Sequence, residues 1–590
     1  MTKEVNIMKR KTLHKAVAVA AAAVMAMGTL AGCGSSNTAE STAAAETTES
    51  TASAETTEST TAAAAETTET ASTSTGGGMD SWEPFAENVT LQVPVYDRGV
   101  EGVPDVVNNY WTQWIQENFG DQWNITVEFV PITRNDVMTD YALLASSGTL
   151  PTMLTEFDFP KLAQWANDGY LTPIDMNEFA SVAPTYYNRM VEQNQLDYTA
   201  INGDTYFVMG ESTYYETAHT WQVFVRMDWL EQVGYDHVPT TREEYLDAMQ
   251  KIMDAGICEH PGGGSMLTGL GSDQNHSYRT LPQDESEWAM YGDYNIVSLG
   301  WAPNKELIRD KNEEYNLGIM NPEYYVTDSQ TEQANFINGG QYAFGGYISS
   351  SMDWLTSFYE QNPDAKLAIV PAAAGLAGSY GDTAAYRANN PFGVIVGFSS
   401  SASEDEIKAA WMYLEWMSQE DVLQTLQWGV EGENYTVDED GNKVSVSDYS
   451  GDYQQGYNNN GDYTSVVTNA RITGDPEIDI RSSFPQDLPQ SEELTQQIIQ
   501  FYNDRVKLAE EGMAIVDCQF YTAIEAESDY RDTLSSLYTQ YRDELTMCDP
   551  DEFDSLYDQR AQEYLDAGYQ AIIDERLEAY EAGQTTKLAQ

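Results

Sequence analysis

Val89-Thr90-Leu91-Gln92-Val93-Pro94-Val95 is the first stretch with the pattern of a β-strand, and Ile125-Thr126-Val127-Glu128-Phe129-Val130 is the second. In both, apolar residues alternate with polar ones, as in a strand with one buried face. Between them, Asp105 to Phe119 places Val106 and Tyr110 at helical spacing. A strand, a helix and a second strand in this order predict a parallel α/β layer.

The size and charge of the chain limit what it can be. Its 590 residues exceed one compact core, because single domains usually stop growing near ~250 to 300 residues, so we expect at least two lobes. With 94 acidic against 29 basic residues, the net charge of −65 repels phosphate backbones and anionic headgroups. We therefore expect no nucleic-acid partner. The 38 Tyr, 17 Phe and 13 Trp indicate that most of the chain folds.

The N-terminal residues predict export. Basic residues from Lys9 to Lys15 precede an apolar run from Ala16 to Gly32, the order found in signal peptides. Leu30-Ala31-Gly32-Cys33 resembles the lipobox of bacterial lipoproteins, which implies removal of residues 1–32 and lipidation of Cys33. The lipid would then anchor the protein to the membrane, and the protein would lie on the extracellular face of the cell membrane. An ordinary secretory signal with an unrelated Cys is the alternative.

Residues 33–79 read as a tether. They are mostly Ala, Ser, Thr and Glu, and the segment AETTEST occurs at Ala45 and again at Ala54. Such a composition cannot bury a core.

Helix signals follow in the remaining chain. Thr241-Arg242-Glu243-Glu244 and Ser403-Glu404-Asp405-Glu406 read as capping boxes. Residues 491–580 are helical in pattern, with Pro550 and Gly568 as interruptions, and we expect this tail to pack on one lobe. Outside the lipobox there are three cysteines, an odd number, so disulfides are not the basis of the fold. A bridge between Cys518 and Cys548 remains open.

Four groups of motifs, in order along the chain, resemble the extracellular solute-binding proteins of family 1, the large lipoprotein branch that serves carbohydrate ABC importers. They are Leu144-Ala145-Ser146-Ser147-Gly148-Thr149-Leu150-Pro151 with Gly169-Tyr170-Leu171-Thr172-Pro173-Ile174-Asp175; Asn202-Gly203-Asp204-Thr205-Tyr206 with Val225-Arg226-Met227-Asp228-Trp229-Leu230; Tyr413-Leu414-Glu415-Trp416-Met417 with Gly429-Val430-Glu431-Gly432-Glu433-Asn434-Tyr435; and Asp551-Glu552-Phe553-Asp554 with Gly568-Tyr569.

The resemblance implies an α/β fold of two lobes, of the type II periplasmic-binding-protein kind, with a helical C-terminal tail on one lobe. Lobe 1 would comprise about 80–215 and 385–428, and lobe 2 about 216–384 and 429–590. Ligand trapped between the lobes would favour their closure about a hinge. The implied partners are a carbohydrate, as an oligosaccharide or related neutral sugar, and the permease subunits of an ABC transporter. We expect a monomer without a cofactor.

One segment departs from the family pattern. Many relatives carry a Ca²⁺ loop of alternating Asp and Asn after the capped helix, whereas this chain has Asp254-Ala255-Gly256-Ile257-Cys258-Glu259-His260-Pro261-Gly262-Gly263-Gly264. These residues cannot supply the required ring of oxygen ligands, so we predict no calcium or other metal there.

Sugars need aromatic platforms with carboxylate, amide and guanidinium partners. From their positions in the family scheme, near the expected crossings between lobes or in cleft loops, the candidate ligand residues are Tyr214, Tyr215, Trp301, Tyr347, Trp428, Glu211, Arg387, Asn389 and Asn390. Each could instead be structural, because aromatic residues also fill cores. We expect Trp221, Trp229 and Trp354 in the core, Arg226 paired with Asp228, and residues 449–463 as a surface loop or a ligand-covering flap.

Enzyme readings have little support. The five His residues lack partners at metal spacing, apart from the run Cys258-Glu259-His260, and Leu270-Gly271 replaces the Lys and Ser/Thr of a phosphate loop. We therefore assign no catalytic residue and expect no enzyme. The alternatives to transport are a surface glycan-binding or sensor lipoprotein and an extracellular glycoside hydrolase.

Overall fold

The computed structural model describes residues 77–99, 105–134, 136–263, 267–268, 271–272, 285–291, 298–349, 352–375, 385–446, 463–467 and 475–587. The chain from Thr73 to Gln590 forms one compact unit. The predicted signal peptide, Cys33 and nearly all of the tether lie outside the described residues. In the described ranges, no helix is both long and apolar enough to cross a membrane.

The parallel pair predicted at the start of the fold is confirmed. Strands Val89–Asp97 and Ile125–Thr133 run parallel, with Val89 opposite Ile125. The helix between them begins later than predicted, at Tyr110–Ile115, and continues as a π-helical turn at Gln116–Gly120. The delay has a local cause, because short polar side chains compete for backbone N–H groups. The Asp105 carboxylate accepts from the Val107 and Asn108 N–H groups at 2.9 and 3.1 Å, and Asn109 caps the helix.

We call the three-stranded sheet centred on Phe392–Phe398 the first sheet, and the elements packed around it the first lobe. Its central strand Phe392–Phe398 is antiparallel to Met153–Glu156 on one side and to Val208–Glu211 on the other. All three strands are buried along their length, so helices must cover both faces. The helices of this lobe are Asp121–Trp123, Val137–Ser147, Phe159–Asn167, Met176–Val182, Pro184–Glu192, Glu404–Met417 and Glu420–Trp428.

We call the three-stranded sheet centred on Trp221–Arg226 the second sheet, and the elements that follow or pack around it the second lobe. Its central strand Trp221–Arg226 is antiparallel to Ala343–Tyr347 and to Leu367–Ile369. The helices that follow its strands in the chain or pack around it are Met227–Gln232, Arg242–Asp254, Ala302–Leu317, Ser329–Ile337, Asp353–Gln361, Pro476–Ser483 and Ser491–Glu510.

Short strands complete the described elements. They are Ala200–Ile201, Asp204–Thr205, Leu267–Thr268, Gly271–Ser272, Tyr386–Arg387, Tyr435–Val437, Lys443–Ser445 and Ala514–Ile515. Both predicted capping boxes are confirmed. Thr241 caps helix Arg242–Asp254 with Glu244 reaching back, and Ser403 does the same for Glu404–Met417 with Glu406.

The predicted helical tail is present as Glu525–Met547, Phe553–Tyr564 and Gln570–Glu581, which we call the helical tail. Its core also includes Trp288 from helix Glu285–Tyr291. Pro550 lies in the turn between the first two helices, and Gly568 lies in the π-helical turn Leu565–Tyr569 that joins the last two.

The helical tail packs mainly on the second lobe. The Asn312 amide, on helix Ala302–Leu317, donates to the carbonyls of Leu545 and Cys548 at 2.8 and 2.9 Å. The tail also contacts the first lobe, where Arg531 lies 2.6 Å from the Asp158 carboxylate. Nearby, the Asn202 N–H donates to the Tyr521 carbonyl at 2.7 Å. The tail region therefore touches both lobes.

The three described cysteines, Cys258, Cys518 and Cys548, are free thiols. The bridge between Cys518 and Cys548 that the sequence left open is not formed. Burial raises the pKa of both the Cys258 and the Cys548 thiol, which keeps them in the unreactive protonated form.

Candidate ligand site

Two chain segments cross between the sheets next to each other. Residues 212–220 connect strand Val208–Glu211 to strand Trp221–Arg226, and residues 385–391 lead into strand Phe392–Phe398. The Asn389 N–H donates to the Tyr215 carbonyl at 2.9 Å, which joins the two crossings directly. A rotation of one lobe against the other must bend these segments, so a ligand bound beside them would sense the motion.

A cavity of about 120 Å³ lies at these crossings, and we call it the hinge cavity. Both crossings, the end of strand Leu367–Ile369 and helix Ser491–Glu510 contribute to its walls. Its lining residues are Tyr215, Glu216, Ala218, Trp221, Gln222, Val223, Val370, Pro371, Ala374, Tyr386, Arg387, Ala388, Phe501 and Arg505. Aromatic faces beside guanidinium and amide groups form the combination that a sugar ring with several hydroxyls requires.

Three half-buried tyrosines from distant parts of the sequence are neighbours, and one of them, Tyr215, lines this cavity. Tyr215 comes from the first crossing, Tyr198 from the first lobe and Tyr521 from the segment before the helical tail. Burial, and to a lesser extent the neighbouring Tyr521 and Tyr215, raise the pKa of Tyr198 to about 12. The three hydroxyls therefore remain protonated at neutral pH and can donate as well as accept hydrogen bonds.

Arg387 lines the hinge cavity but is already committed to a partner. Its Nε donates to Asp517 at 2.8 Å, and its Nη2 makes a second, very short bond to the other oxygen of the same carboxylate. Asp517 is buried, and the pair reinforces the parallel contact between Tyr386–Arg387 and Ala514–Ile515. A bidentate pair of this kind fixes the cavity wall more than it offers a free donor.

Glu211 and Tyr214 are also engaged within the protein. Glu211 is buried, lies 3.2 Å from the Arg189 guanidinium and accepts from the Thr213 hydroxyl at 2.9 Å. Tyr214 has a φ of 60°, and its hydroxyl donates to Asp479 at 2.7 Å. Burial, followed by this carboxylate, raises the pKa of Tyr214. Both residues lie at or next to the first crossing, and their side chains bind other protein groups there.

The two asparagines differ in surroundings. Asn389 is exposed, whereas Asn390 is half-buried and its Oδ1 is buried without a hydrogen-bond partner. A buried acceptor of this kind normally finds a donor, so Asn390 can take one from a ligand or a water.

Three predicted aromatic platforms lie away from the hinge cavity. Trp301 is buried in the core of the helical tail, stacks on Tyr291 at 5.9 Å and donates to Glu287 at 2.9 Å. Trp428 is fully buried against Tyr435, with ring centroids 5.8 Å apart. Tyr347 ends the edge strand of the second sheet and is 60% exposed. The structure therefore does not bring these three together with Tyr215 and Arg387.

The residues that we predicted to be structural lie in paired or packed positions. Arg226 pairs with Asp228 through two hydrogen bonds of 2.8 and 2.7 Å, as predicted. Trp229 is buried under Arg226, and Trp354 packs against the core of the second sheet. Trp221 lies at the core edge, where it also lines the hinge cavity.

Most of the predicted loop 449–463 lies outside the described residues. Its last residue, Tyr463, is buried in the first lobe and donates to the Val106 carbonyl at 2.7 Å.

The segment after the capped helix is held by the second lobe. The Cys258 thiol lies 3.4 Å from the Gly340 carbonyl, and His260 Nδ1 lies 2.8 Å from the Gly318 carbonyl. In the described part of the chain, no three His, Cys, Asp or Glu residues group closely enough to hold a metal ion. That this segment binds no calcium stays a prediction.

Sequence reasoning missed Tyr198, Tyr521 and Arg505. No local sequence pattern distinguishes the two tyrosines. Only the folded structure brings all three residues close to the crossings. Arg505 had one usable signal, since an isolated arginine four residues after Phe501 on an apolar helix face is unusual in so acidic a chain.

The model of the bacterial extracellular solute-binding protein family matches residues 113–432. Compared by sequence with curated proteins, the chain matches none. Three similar solved structures each correspond to 84% of this chain. They are an extracellular solute-binding protein from Bifidobacterium longum subsp. infantis (TM-score 0.57, 14% identity, 99% of that chain), an alginate-binding protein without calcium ion (0.56, 14%, 99%) and an S. pneumoniae ABC-transporter substrate-binding protein in complex with kestose (0.52, 13%, 100%).

At these identities the likeness shows the fold alone, and it confirms the two-lobed α/β architecture of type II solute-binding proteins. The family model covers more than half of the residues and spans both crossings between the sheets. The chain therefore belongs to the bacterial extracellular solute-binding protein family.

Proposed function

We propose that this protein is the lipid-anchored, extracellular substrate-binding component of an ABC importer, and that it binds an oligosaccharide between its lobes. The observation that carries the proposal is the aromatic and polar hinge cavity, which Tyr215 lines, at the segments that must bend when the lobes close. The similar structures support the saccharide class, since one is in complex with kestose and another is alginate-binding.

Closure is the signal that the permease would read. A ligand shifts the lobes toward the closed form only by its differential affinity for that form. Tyr215 contributes from a crossing and Phe501 from helix Ser491–Glu510 of the second lobe, so a ligand that touches the cavity and the first lobe would gain contacts as the lobes approach.

Calorimetry with an oligosaccharide panel, followed by small-angle scattering, tests the proposal on the compact unit that begins at Thr73. We expect one-to-one binding, a smaller radius of gyration with ligand and recovery of the saccharide unchanged. Tyr215→Ala should weaken binding about 2- to 10-fold through loss of one aromatic contact. Tyr325→Ala, at an exposed tyrosine outside the cavity, is the matched control.

Other results would assign another function. Binding without compaction would favour a glycan-binding or sensor lipoprotein, and hydrolysis of the saccharide would identify an enzyme. The anchor is tested separately by labelling cells with an alkyne fatty acid. The native chain should take up the label and Cys33→Ala should not.

A further inference from the structure

Arg505 is a buried cation, and no carboxylate of the described residues pairs with it. Its side chain, on helix Ser491–Glu510, is 6% exposed, and neither its Nε nor its Nη1 has a hydrogen-bond partner. The other buried arginines in the described chain, Arg226 and Arg576, each pair with a carboxylate. Burying an unpaired charge is costly, so its place in a chain with 94 acidic residues needs an explanation.

Aromatic rings account for part of the stabilisation of Arg505. Its guanidinium carbon lies 3.8 Å from the ring centroid of Tyr386 and 5.2 Å from that of Phe501. The Tyr386 hydroxyl donates to the Glu216 carbonyl at 2.7 Å, which holds the ring in place. Stacking satisfies the face of a guanidinium but leaves its in-plane N–H donors available. Burial lowers the pKa of Arg505 to about 10, so it stays charged at neutral pH.

Arg505 is one of the residues that line the hinge cavity. Its volume of about 120 Å³ equals roughly four waters, at about 30 Å³ each, which suits one substituent of a sugar better than several rings. The other charged side chains on its wall are Arg387, whose charge Asp517 balances, and the exposed Glu216. Among the charged side chains that line the cavity, Arg505 is therefore the buried one that no carboxylate of the described residues pairs with.

We propose that the hinge cavity binds a carboxylate group of the saccharide through Arg505, and that the protein consequently prefers acidic oligosaccharides to their neutral counterparts. This inference rests on the proposed function. It opposes the expectation of a neutral sugar, which the family resemblance implied, because a planar guanidinium recognises a carboxylate by local geometry.

The test compares wild type with Arg505→Met, and uses Arg481→Met as a control at a surface ion pair. Calorimetry measures oligomers of galacturonate, glucuronate and mannuronate beside their neutral parents. In wild type and the control, at least one uronate oligomer should bind 10-fold or more tightly than its parent. Arg505→Met should abolish that preference, so that uronate and neutral oligomers bind this variant with similar affinity.

A second arm uses sodium acetate and sodium sulfate against sodium chloride at equal ionic strength. Either anion should raise the melting temperature of wild type more than that of Arg505→Met. Arg505→Lys, which keeps the charge but loses the planar pair of donors, should give an intermediate response and covers the case in which the Met variant does not fold.

Each remaining outcome decides between claims. If acetate or sulfate acts through Arg505 but no uronate oligomer is preferred, the hinge cavity binds a free anion. The proposal that it binds a carboxylate of the saccharide is then wrong. If neutral saccharides bind and compact the protein while anions have equal effects on all variants, the inference fails and the proposed function stands. Anion binding through Arg505 without binding of any saccharide would overturn the proposed function instead.

Discussion

Charged residues in this acidic chain contribute very different amounts to the free energy of unfolding. The contribution of each depends on how deeply its ion pair is buried. Arg576 is fully buried and makes bonds of 2.9 and 2.7 Å to Glu527, which is itself buried. Arg560 makes similar contacts with Glu544 and Glu563, whose side chains are 38% and 39% exposed. Water screens the second set but not the first.

Arg576→Met should therefore destabilise the fold by about 3 to 5 kcal/mol, because it leaves Glu527 buried without its main cation. Arg560→Met should cost about 1 kcal/mol or less. Urea unfolding measures both. The double variant Arg576→Met with Glu527→Gln should recover part of the loss, and equal costs for the two single variants would refute the role of burial.

His219 makes stability depend on pH. It is 3% exposed, packs between Tyr214 and Tyr502 at centroid distances of 5.0 and 5.5 Å, and its Nδ1 has no hydrogen-bond partner. Burial lowers the pKa of His219 from 6.5 to about 4. The unfolded chain therefore takes up a proton between these values while the folded chain does not.

Stability should fall as pH decreases from about 6.5 to 4, because protons bind preferentially to the unfolded state there. The full effect is about 3 kcal/mol, from a pKa shift of roughly two units or more. Carboxylates also titrate in this range, so the measurement is the difference in unfolding free energy between wild type and His219→Gln across pH 4 to 7. A difference that stays constant with pH would show that His219 titrates normally.

At the scale of elements, local sequence patterns predicted several features of the strands and helices correctly. The parallel strands and both capping boxes were predictable because each depends on residues within a few positions, such as Ser403 and Glu406. The helix expected from Asp105 started late because side-chain hydrogen bonds at Asp105 outweighed its apolar spacing. The site could not be predicted in full, since Tyr198 and Tyr521 meet only when the tail region folds against the first lobe.

The π-helical turn in the tail depends on one glycine. Gly568 has a φ of 131°, and a Cβ added there would collide with the ring of Tyr530 on helix Glu525–Met547. Gly512 also has a positive φ, of 76°, but open space around it.

Gly568→Ala should therefore destabilise the protein clearly more than Gly512→Ala. Gly512→Ala should cost about 1 to 2 kcal/mol, because alanine is strained at a positive φ. Gly568→Ala should cost more, because its Cβ would also collide with the ring of Tyr530. Thermal unfolding followed by circular dichroism compares them. Equal losses would mean that Tyr530 moves aside without cost.

At the scale of the whole molecule, the helical tail links the lobes. The Arg531–Asp158 pair spans from the tail to the first lobe, with side chains 20% and 14% exposed. The same tail is fixed to helix Ala302–Leu317, whose Asp310 and Glu314 bind Arg242 of the second lobe at 2.8 Å.

Arg531→Gln should weaken the contact between tail and first lobe by about 1 to 2 kcal/mol, since the pair is partly buried. Without ligand, the radius of gyration from small-angle scattering should increase, and saccharide binding should weaken. Arg481→Gln, at an exposed pair, should change neither property. Unchanged scattering for both variants would show that the pair does not restrain the lobes.

A contact between tail and first lobe also limits the aperture of the cleft. The lobes can separate on that side only as far as the Arg531–Asp158 pair and the hydrogen bond from Asn202 to Tyr521 allow. The length of glycan admitted to the cleft would then depend on a residue that need not touch the glycan at all. Selection for longer or shorter substrates could act on this side chain while leaving the binding surface unaltered.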